Sequence, residues 1–233
     1  MIFPKTQLPV LQQRVFNSKN EAVNSPVGLV ELKKNINSGI ISNVLFDASL
    51  VKYDENYDNE QSNSKMFLSH LSDVYNILKP FITGKKIIEV GCGKGHFLNL
   101  IREKGHDVYG CDPTYEGSNK RIIKKFFSKD IELKGDVIIL RHVLEHIKNP
   151  IEFLIEIAEA NDNKGLVFIE VPDFTWIIEN QVYFDIFYEH VNYFQPDNFL
   201  QIFKNVHKQG VFFNEQYQYV VADLSSINIP PYN

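Results

Sequence analysis

Cysteine, tryptophan, methionine and clustered positive charge are all scarce in this 233-residue sequence. Its two cysteines, Cys92 and Cys111, form no Cys-x-x-Cys pair, which argues against a structural zinc site and leaves two expected free thiols. There is no run of 18 apolar residues and no basic start followed by an apolar stretch, so we expect a cytoplasmic protein that contacts no membrane. The net charge of −5, without a long Lys/Arg block, argues against a nucleic-acid partner.

The sequence does contain enough apolar residues, 44% of the total, to fill the core of one domain with a modest extension. Residues 1–61 are polar and irregular with a few short apolar pieces, and we expect an N-terminal arm or small cap there. Residues 62–233 are expected to form the main domain. This domain begins with an amphipathic helix over 64–78, which Pro80 should end.

From residue 85 onwards, short apolar strands alternate with helical patterns. The predicted strands are 86–90, 107–111, a short one near 122–127, 136–140 and 165–171, and the predicted helices are 95–104, 150–160 and 196–206. Near-continuous apolar strands separated by helices indicate a parallel sheet covered on both faces. Two further runs, 210–213 and 217–222, lie close together without a helix, as in an antiparallel hairpin. The pattern predicts an α/β, Rossmann-like fold with a mostly parallel sheet.

The most informative segment joins the first of these strands to its helix. Glu89 is followed by Gly91, Gly93 and Gly95, which let the backbone turn sharply and approach a ligand closely. A dinucleotide-binding loop would need its third glycine where this chain has His96. The spacing instead resembles motif I of the class I S-adenosylmethionine-dependent methyltransferases.

Asp112 lies at the end of the next predicted strand and is followed by Pro113. A carboxylate at this place suits a ribose, because its paired oxygens can accept hydrogen bonds from two hydroxyls. A turn-forming or helix-capping aspartate is the alternative interpretation. Beside the glycine loop, we favour the ribose-binding role.

Residues 142–146 read His-x-x-Glu-His, the inverted form of a zinc-protease motif. A strand runs directly into this segment, and Asn149-Pro150 would end a helix there after about two turns. The sequence shows no distinctive third ligand, so we expect no metal site. The segment also resembles the region after the fourth strand of many methyltransferases, which would place Arg141 and His142 against the cofactor and the acceptor.

Three segments together resemble a bacterial methyltransferase group that is related to the sugar C-methyltransferases. They are residues 53–62, 141–147 and 184–194, the last containing an aromatic-rich Tyr-Glu-His-x-x-Tyr-Phe. Members of this group occur in capsule and surface-glycan gene clusters, including those for phosphoramidate decorations. The resemblance implies a seven-stranded methyltransferase sheet that ends in an antiparallel hairpin. Two departures, the lack of zinc-binding cysteines within 1–61 and of a long C-terminal substrate domain, favour a small acceptor over a nucleotide sugar.

The resemblance also implies residues that perform the chemistry. His190 would act as a base, and the adjacent Glu189 would orient it. Tyr188 and Tyr193 would complete the site and line the channel for the methyl group. The alternative interpretation is an aromatic lid in which His190 is only hydrogen-bonded.

The same resemblance implies a set of ligand-binding residues. If the acceptor is a phosphate-type oxygen, no base is required, and His190, Arg141 and His142 would hold the anion. The residues expected to bind S-adenosylmethionine are Glu89, Gly91, Cys92, Gly93, Gly95, Phe97, Asp112, Pro113, Phe127, Ser128, Arg141, His142, Tyr57 and Gln61.

These features predict an S-adenosylmethionine-dependent methyltransferase. Its expected acceptor is a small, anionic, phosphorylated precursor of a capsular or surface-polysaccharide decoration, methylated at oxygen. Carbon methylation of a nucleotide-linked deoxyketosugar is the alternative within the same class, and a nicotinamide dehydrogenase is a further enzymatic alternative. A cofactor-binding subunit without catalysis is the alternative from outside the enzymes. We expect a monomer or a homodimer.

Overall fold

The computed structural model describes residues 3–12, 14–52 and 64–228. Tyr57 and Gln61, two of the predicted cofactor-binding residues, lie outside the described residues. The strands are β1 (Thr6–Pro9), β2 (Val27–Val30), β3 (Leu32–Lys34), β4 (Ile41–Asn43), β5 (Lys86–Val90), β6 (Asp107–Cys111), β7 (Ile122–Ile123), β8 (Val137–Arg141), β9 (Leu166–Pro172), β10 (Asn192–Tyr193), β11 (Val206–Phe212) and β12 (Tyr217–Asp223). The helices are α1 (Lys19–Val23), α2 (Lys65–Ile82), α3 (His96–Glu103), α4 (Pro150–Ala160), α5 (Phe174–Glu179) and α6 (Pro196–Ile202). Over the described ranges, none of these helices is long and apolar enough to cross a membrane.

The main sheet of the described residues has seven strands in the order β11-β12-β9-β8-β5-β6-β7. Strands β5, β6, β7, β8 and β9 run parallel to one another. Strand β12 is antiparallel to both β9 and β11. This topology confirms the predicted α/β fold, a Rossmann-like and mostly parallel sheet with a C-terminal antiparallel hairpin.

The core is divided by this sheet into two layers. Successive side chains of a strand point to opposite faces, so Ile87 packs with Leu78 of α2 while Ile88 packs with Leu154 of α4. All four side chains are fully buried. Because both faces of the central strands are covered, these strands contain continuous apolar runs instead of an alternating pattern.

Helix α2 continues through Pro80 to Ile82, so the predicted end of this helix was wrong. A proline in the last turn removes one N–H group and the hydrogen bond that this group would donate. The Thr83 hydroxyl donates to the Lys79 carbonyl at 2.8 Å and satisfies one of the final acceptors. The side chain of Ile82 is fully buried against the sheet, and this packing outweighs the local effect of the proline.

Helix α6 is shorter than predicted, and the segment 142–146, where the sequence argued against a zinc-binding helix, contains no α-helix. Helix α6 ends at Ile202, because Phe203 adopts an extended backbone with its ring buried in the core. Residues 142–146 contain a single 3-10 turn, Leu144–His146, in place of a two-turn helix. His142 precedes this turn with a left-handed backbone (φ 51°), which interrupts a right-handed helix.

The described N-terminal residues, which we call the cap, share a hydrophobic core with residues 174–193 of the main domain. Strand β1 pairs with β2, and a separate three-stranded sheet has the order β10-β4-β3. Strand β10 comes from the predicted site segment, and its Asn192 and Tyr193 pair with Ser42 and Ile41 of β4. The cap core therefore includes Tyr193. The domain boundary at residue 61 stays a prediction, because the cap and the main domain share this sheet.

Candidate active site

The glycine loop connects β5 to α3 at the carboxyl end of the sheet. Gly91, Gly93 and Gly95 all have left-handed backbones, with φ of 72°, 52° and 80°, a conformation that favours glycine. A Cβ atom added at Gly91 would lie 2.4 Å from Val143 Cγ2. The loop is therefore packed against the turn that follows β8, and its first position has room only for glycine.

Asp112 follows β6 and holds the glycine loop in place. Its Oδ2 accepts a hydrogen bond from the Gly93 amide at 2.8 Å. Its Oδ1 accepts from the Thr114 amide at 2.8 Å and from the Thr114 hydroxyl at 2.6 Å, so the turn-forming role is present as well. An ionised carboxylate has about four lone-pair positions. One position on Oδ2 therefore remains, which is enough for one ribose hydroxyl, and the ribose-binding role stays a prediction.

Glu89 is buried near the end of β5, with 2% of its surface exposed. Its Oε2 has no hydrogen-bond partner among the described residues. Burial raises the pKa of this carboxyl group to about 8; Arg141 opposes the increase, and Asp112 and Glu170 add to it. A bound cofactor with positive charge, such as the sulfonium and ammonium groups of S-adenosylmethionine, would favour the ionised form of this acid beside a loop that admits close approach.

Glu170 on β9 organises a buried charged network. It accepts a hydrogen bond from Arg141 Nε at 2.6 Å and lies 2.5 Å from His70 Nε2 and 3.2 Å from His142 Nε2. Burial alone would raise the pKa of Glu170, but the charges of Arg141 and His142 hold it well below its ordinary value. Burial also opposes protonation of His142, but Glu170 and Glu145 outweigh this effect and raise its pKa to about 9. His142 is therefore engaged by two carboxylates and is not available to hold an anionic acceptor.

Arg141 retains a donor that this network does not use. Its guanidinium lies over the Phe97 ring at 4.6 Å from the centroid. Its Nη2 is buried and has no hydrogen-bond partner in the described part of the chain. Arg141 and Phe97 thus form one wall beside the glycine loop, in keeping with the cofactor contacts predicted for them.

The sequence did not predict a role for His70 or Glu170. Glu170 interrupts an otherwise apolar strand, and a buried charge requires a partner. This interruption was the available signal. His70 lies 100 residues earlier on α2, and no local pattern marks it.

A second polar group, which we call the histidine cluster, consists of Glu145, His146 and His190. One donor atom of each lies within 4.8 Å of the others, and the two imidazole centroids are 4.8 Å apart. His146 Nδ1 lies 3.0 Å from the Glu189 carbonyl oxygen, whereas His190 Nδ1 is buried with no hydrogen-bond partner among the residues described. Burial, reinforced by His146 and His142, lowers the pKa of His190 well below its usual value, so its ring is neutral. Glu145 and His146 of the His-x-x-Glu-His segment thus lie beside His190, whereas His142 is engaged by Glu170.

Tyr188 and Tyr193 fix the backbone on both sides of His190. The Tyr188 hydroxyl accepts from the Asp47 amide at 2.8 Å and donates to the Asp47 carbonyl at 3.2 Å. The Tyr193 hydroxyl makes the same pair of bonds with Phe187, both at 3.0 Å. Both rings are buried. These bonds give the two tyrosines a positioning role, because their hydroxyl groups are already used within the protein.

Glu189 connects the cap to the histidine cluster. Its Oε1 accepts a hydrogen bond from the Gln12 amide at 3.2 Å, and its backbone carbonyl faces His146 Nδ1. Its contacts therefore also position the segment. Of the four residues predicted to perform the chemistry, His190 is the one whose ring belongs to the cluster, and its role stays a prediction.

The remaining predicted cofactor residues lie around the same edge of the sheet. Cys92 is a buried free thiol, and burial raises its pKa above the ordinary value. Pro113 is half-buried at the tip of β6. Phe127 packs edge-on against Phe153 with ring centroids 6.3 Å apart, and Ser128 precedes a 3-10 turn without a side-chain capping bond. Contacts of these residues with a nucleoside stay predictions.

Comparison with known sequences identifies the family. The methyltransferase domain family matches residues 62–206, and the chain belongs to this family. The C-methyltransferase NovU from Streptomyces niveus is 27% identical over 135 residues, which cover 52% of this chain and 32% of that protein. The chain thus spans about a third of the length of this curated relative.

Solved structures share the fold. A SAM-dependent methyltransferase from Archaeoglobus fulgidus has a TM-score of 0.52 and 17% identity, covering 68% of this chain and 99% of that chain. The plantazolicin methyltransferase BpumL, solved with a monoazolic desmethylPZN analog and SAH, has a TM-score of 0.51 and 18% identity, covering 72% and 88%. The family match shows a methyltransferase domain, and the solved structures show that its fold is that of the S-adenosylmethionine-dependent methyltransferases.

Proposed function

We propose that this protein is an enzyme that transfers a methyl group from S-adenosylmethionine to an oxygen of a small, anionic acceptor. The acceptor would be a phosphorylated precursor of a capsular or surface-polysaccharide decoration, such as a phosphoramidate intermediate. The acceptor would lie at the histidine cluster. One observation carries this location. A buried nitrogen of His190, which has no hydrogen-bond partner among the residues that the structure describes, lies beside the turn after β8, and Val143 of that turn packs against Gly91. Methyl donor and acceptor would therefore meet across this turn.

Methyl transfer from a sulfonium is an in-line displacement. The acceptor oxygen forms a bond to the methyl carbon while the carbon–sulfur bond breaks, and neutral S-adenosylhomocysteine leaves. Holding the two reactants in line supplies much of the rate enhancement. The bonds of Tyr188 to Asp47 and of Tyr193 to Phe187 support this function, since they hold His190 in one orientation.

The protonation state of His190 favours an acceptor that is already ionised. A hydroxyl acceptor would have to give its proton to a base in the transition state. The pKa of His190 is lowered by burial, so this ring is a weak base at neutral pH. A phosphate-type oxygen requires no base, and Arg141 Nη2 and a neutral imidazole can donate hydrogen bonds to it.

Carbon methylation of a nucleotide-linked deoxyketosugar is the second candidate function. The likeness to the C-methyltransferase NovU favours it. This reaction requires removal of a proton from carbon, and the low basicity of His190 argues against it. Nuclear magnetic resonance of a product made with a ¹³C-labelled methyl donor distinguishes the two. A methyl group bound to carbon would overturn the proposal of oxygen methylation.

His190→Ala tests the location of the acceptor. We expect turnover to fall by about 10²-fold, because the acceptor loses a preorganised hydrogen-bond donor, while the affinity for S-adenosylhomocysteine, measured by calorimetry, stays the same. His207→Ala is a matched control, because His207 lies on edge strand β11 and pairs with Asp223. This control should change neither quantity. Unchanged turnover in His190→Ala would favour the alternative interpretation, in which segment 184–194 is only a structural lid.

A panel of acceptors tests the substrate class. Phosphorylated sugars, phosphoramidates, neutral sugars and nucleotide-linked ketosugars are each incubated with enzyme and S-adenosylmethionine, and mass spectrometry detects the gain of one methyl group. We expect methylation of the small phosphorylated compounds. Methylation confined to neutral or nucleotide-linked sugars would contradict the proposed acceptor.

A further inference from the structure

We propose that the histidine cluster binds a divalent first-row transition-metal ion through Glu145, His146 and His190, with open coordination positions for the acceptor oxygen. The part that concerns the acceptor rests on the proposed function. The metal site itself rests on the donor atoms and their surroundings.

The first observation is that the carboxylate of Glu145 is buried with few partners among the described residues. Its residue is 1% exposed, and Oε1 lies 3.4 Å from His142 Nδ1. Oε2 is also buried, and no described residue bonds to it. Burying a carboxylate with one oxygen that accepts no hydrogen bond costs free energy. A cation between Glu145 and the two imidazoles would satisfy this oxygen.

The two imidazoles have the arrangement of metal ligands. His146 Nδ1 faces the Glu189 carbonyl at 3.0 Å. Because a carbonyl can only accept, this contact places a proton on Nδ1 and leaves Nε2 as the nitrogen that could ligate a metal ion. Metal-binding histidines are typically oriented by such a bond to a backbone carbonyl. His190 adds a ring nitrogen, Nδ1, that is buried without a partner in the described ranges.

The donor set and its spacing select the kind of ion. Two imidazoles and one carboxylate favour Zn²⁺, Co²⁺, Fe²⁺ or Mn²⁺ over Mg²⁺ and Ca²⁺, which prefer oxygen ligands. The three donor atoms lie within 4.8 Å of one another. Bonds of about 2.0–2.2 Å would bring them to about 3–4 Å, so a closure of about 1 Å is sufficient. Three protein ligands leave positions open for an exogenous oxygen.

The neighbouring group of His70, His142 and Glu170 has similar spacing but is a poor metal site. Glu170 is already bonded to both histidines and to Arg141. The guanidinium of Arg141 would also repel a cation at this position. The comparison favours the histidine cluster, where the carboxylate oxygen and the ring nitrogen are unpartnered.

A metal ion in the cluster would offset the repulsion between the Glu145 carboxylate and the proposed anionic acceptor. Glu145 is the negative member of the cluster and would repel an anionic acceptor at short range. A divalent cation would offset this charge and could ligate a phosphate-type oxygen directly. It would also lower the pKa of an acceptor hydroxyl.

Binding of Co²⁺ to the whole chain tests the site. Protein treated with a chelator is titrated with Co²⁺, and binding is followed by calorimetry and by visible absorption, which reports the ligands. We expect one ion per chain in wild type and binding that is weaker by about tenfold or more in Glu145→Gln and His146→Gln. His207→Gln, which removes an exposed histidine, should retain wild-type affinity. Absence of stoichiometric binding, or wild-type affinity in Glu145→Gln with unchanged thermal stability, would overturn the proposal.

Turnover separates this proposal from the proposed function. Loss of turnover on chelation, with recovery after Co²⁺ or Zn²⁺ is added, would support the role of the ion in acceptor binding. If no ion binds but His190→Ala still slows turnover, the metal site is wrong and the location of the acceptor stands. If Co²⁺ binds at the cluster but no phosphorylated acceptor is methylated, the metal site stands and the acceptor class is wrong.

Discussion

At the scale of single residues, two buried carboxyl groups have opposite protonation states. Glu170 lies between Arg141 and His142, and these charges keep its pKa low despite burial. Glu89 has an unpartnered Oε2 within the described structure, and burial raises its pKa to about 8. At neutral pH the same edge of the sheet therefore contains one ionised and one protonated carboxyl group.

Glu89→Gln should alter the pH dependence of stability. The pKa of Glu89 is about 8 in the folded state and 4.5 ordinarily. Between these values the folded state keeps a proton that the unfolded state releases, so the free energy of unfolding decreases as pH rises from 4.5 to 8. Glutamine is similar in shape and stays neutral, which removes this contribution. Urea unfolding at about pH 5 and pH 8 should show a loss of stability that is smaller in Glu89→Gln, by on the order of 1–4 kcal/mol. Equal losses in the two proteins would contradict the protonated state of Glu89.

At the scale of elements, the glycine loop and the turn after β8 pack as one unit. Gly91→Ala should destabilise the protein by about 2–4 kcal/mol, because it combines a left-handed φ of 72° with a Cβ placed 2.4 Å from Val143 Cγ2. Equilibrium unfolding and the affinity for S-adenosylhomocysteine measure the effect. Stability and affinity should both decrease, since the displaced loop belongs to the predicted cofactor site.

A matched control separates backbone strain from the steric clash. Gly93 also has a left-handed backbone, but no described atom lies within 4 Å of an added Cβ, so Gly93→Ala should cost only about 1–2 kcal/mol in stability. Val143→Ala in the Gly91→Ala background should recover the difference, and a double-mutant cycle measures this coupling. A Gly91→Ala variant no less stable than Gly93→Ala would disprove the contact.

Elements with local signals were predictable, and contacts between distant residues were not. The predicted strands 86–90 and 107–111 match β5 and β6, because apolar runs and flanking glycines mark their ends. Pro80 misled the prediction, since the packing of Ile82 is not visible in a local pattern. In the histidine cluster, His190 lies beside the turn after β8, and no pattern of apolar residues in the sequence predicts this contact.

At the scale of the whole molecule, the cap and the main domain meet at Tyr188. A Cβ atom added to Gly28 of β2 would lie 2.1 Å from Tyr188 Cε2. The tyrosine ring is buried and also packs against Phe46, with centroids 5.4 Å apart. The cap therefore packs directly against Tyr188, which lies two positions before His190.

Gly28→Ala should impair turnover more than cofactor binding. The ring of Tyr188 cannot move away without displacing the segment that contains His190, whereas the glycine loop belongs to a different layer. Turnover and calorimetric affinity for S-adenosylhomocysteine measure the two effects. Gly84→Ala is the control, since Gly84 is exposed and its left-handed backbone causes strain alone. A folded Gly28→Ala variant with wild-type turnover would contradict the coupling between cap and site.

The pairing of β4 with β10 has a consequence for the order in which the chain folds. The Ser42 hydroxyl bonds to Asn192 Oδ1 at 2.6 Å, and 150 residues separate the two in sequence. Closing so large a loop costs conformational entropy before any contact compensates for it. During synthesis from the N-terminus, β4 cannot pair with β10 until β10 leaves the ribosome. Strands β5 to β9 have been synthesised by that time. The glycine loop, proposed to bind the cofactor, therefore belongs to the early part of the fold, and the segment around His190, proposed to bind the acceptor, is assembled last.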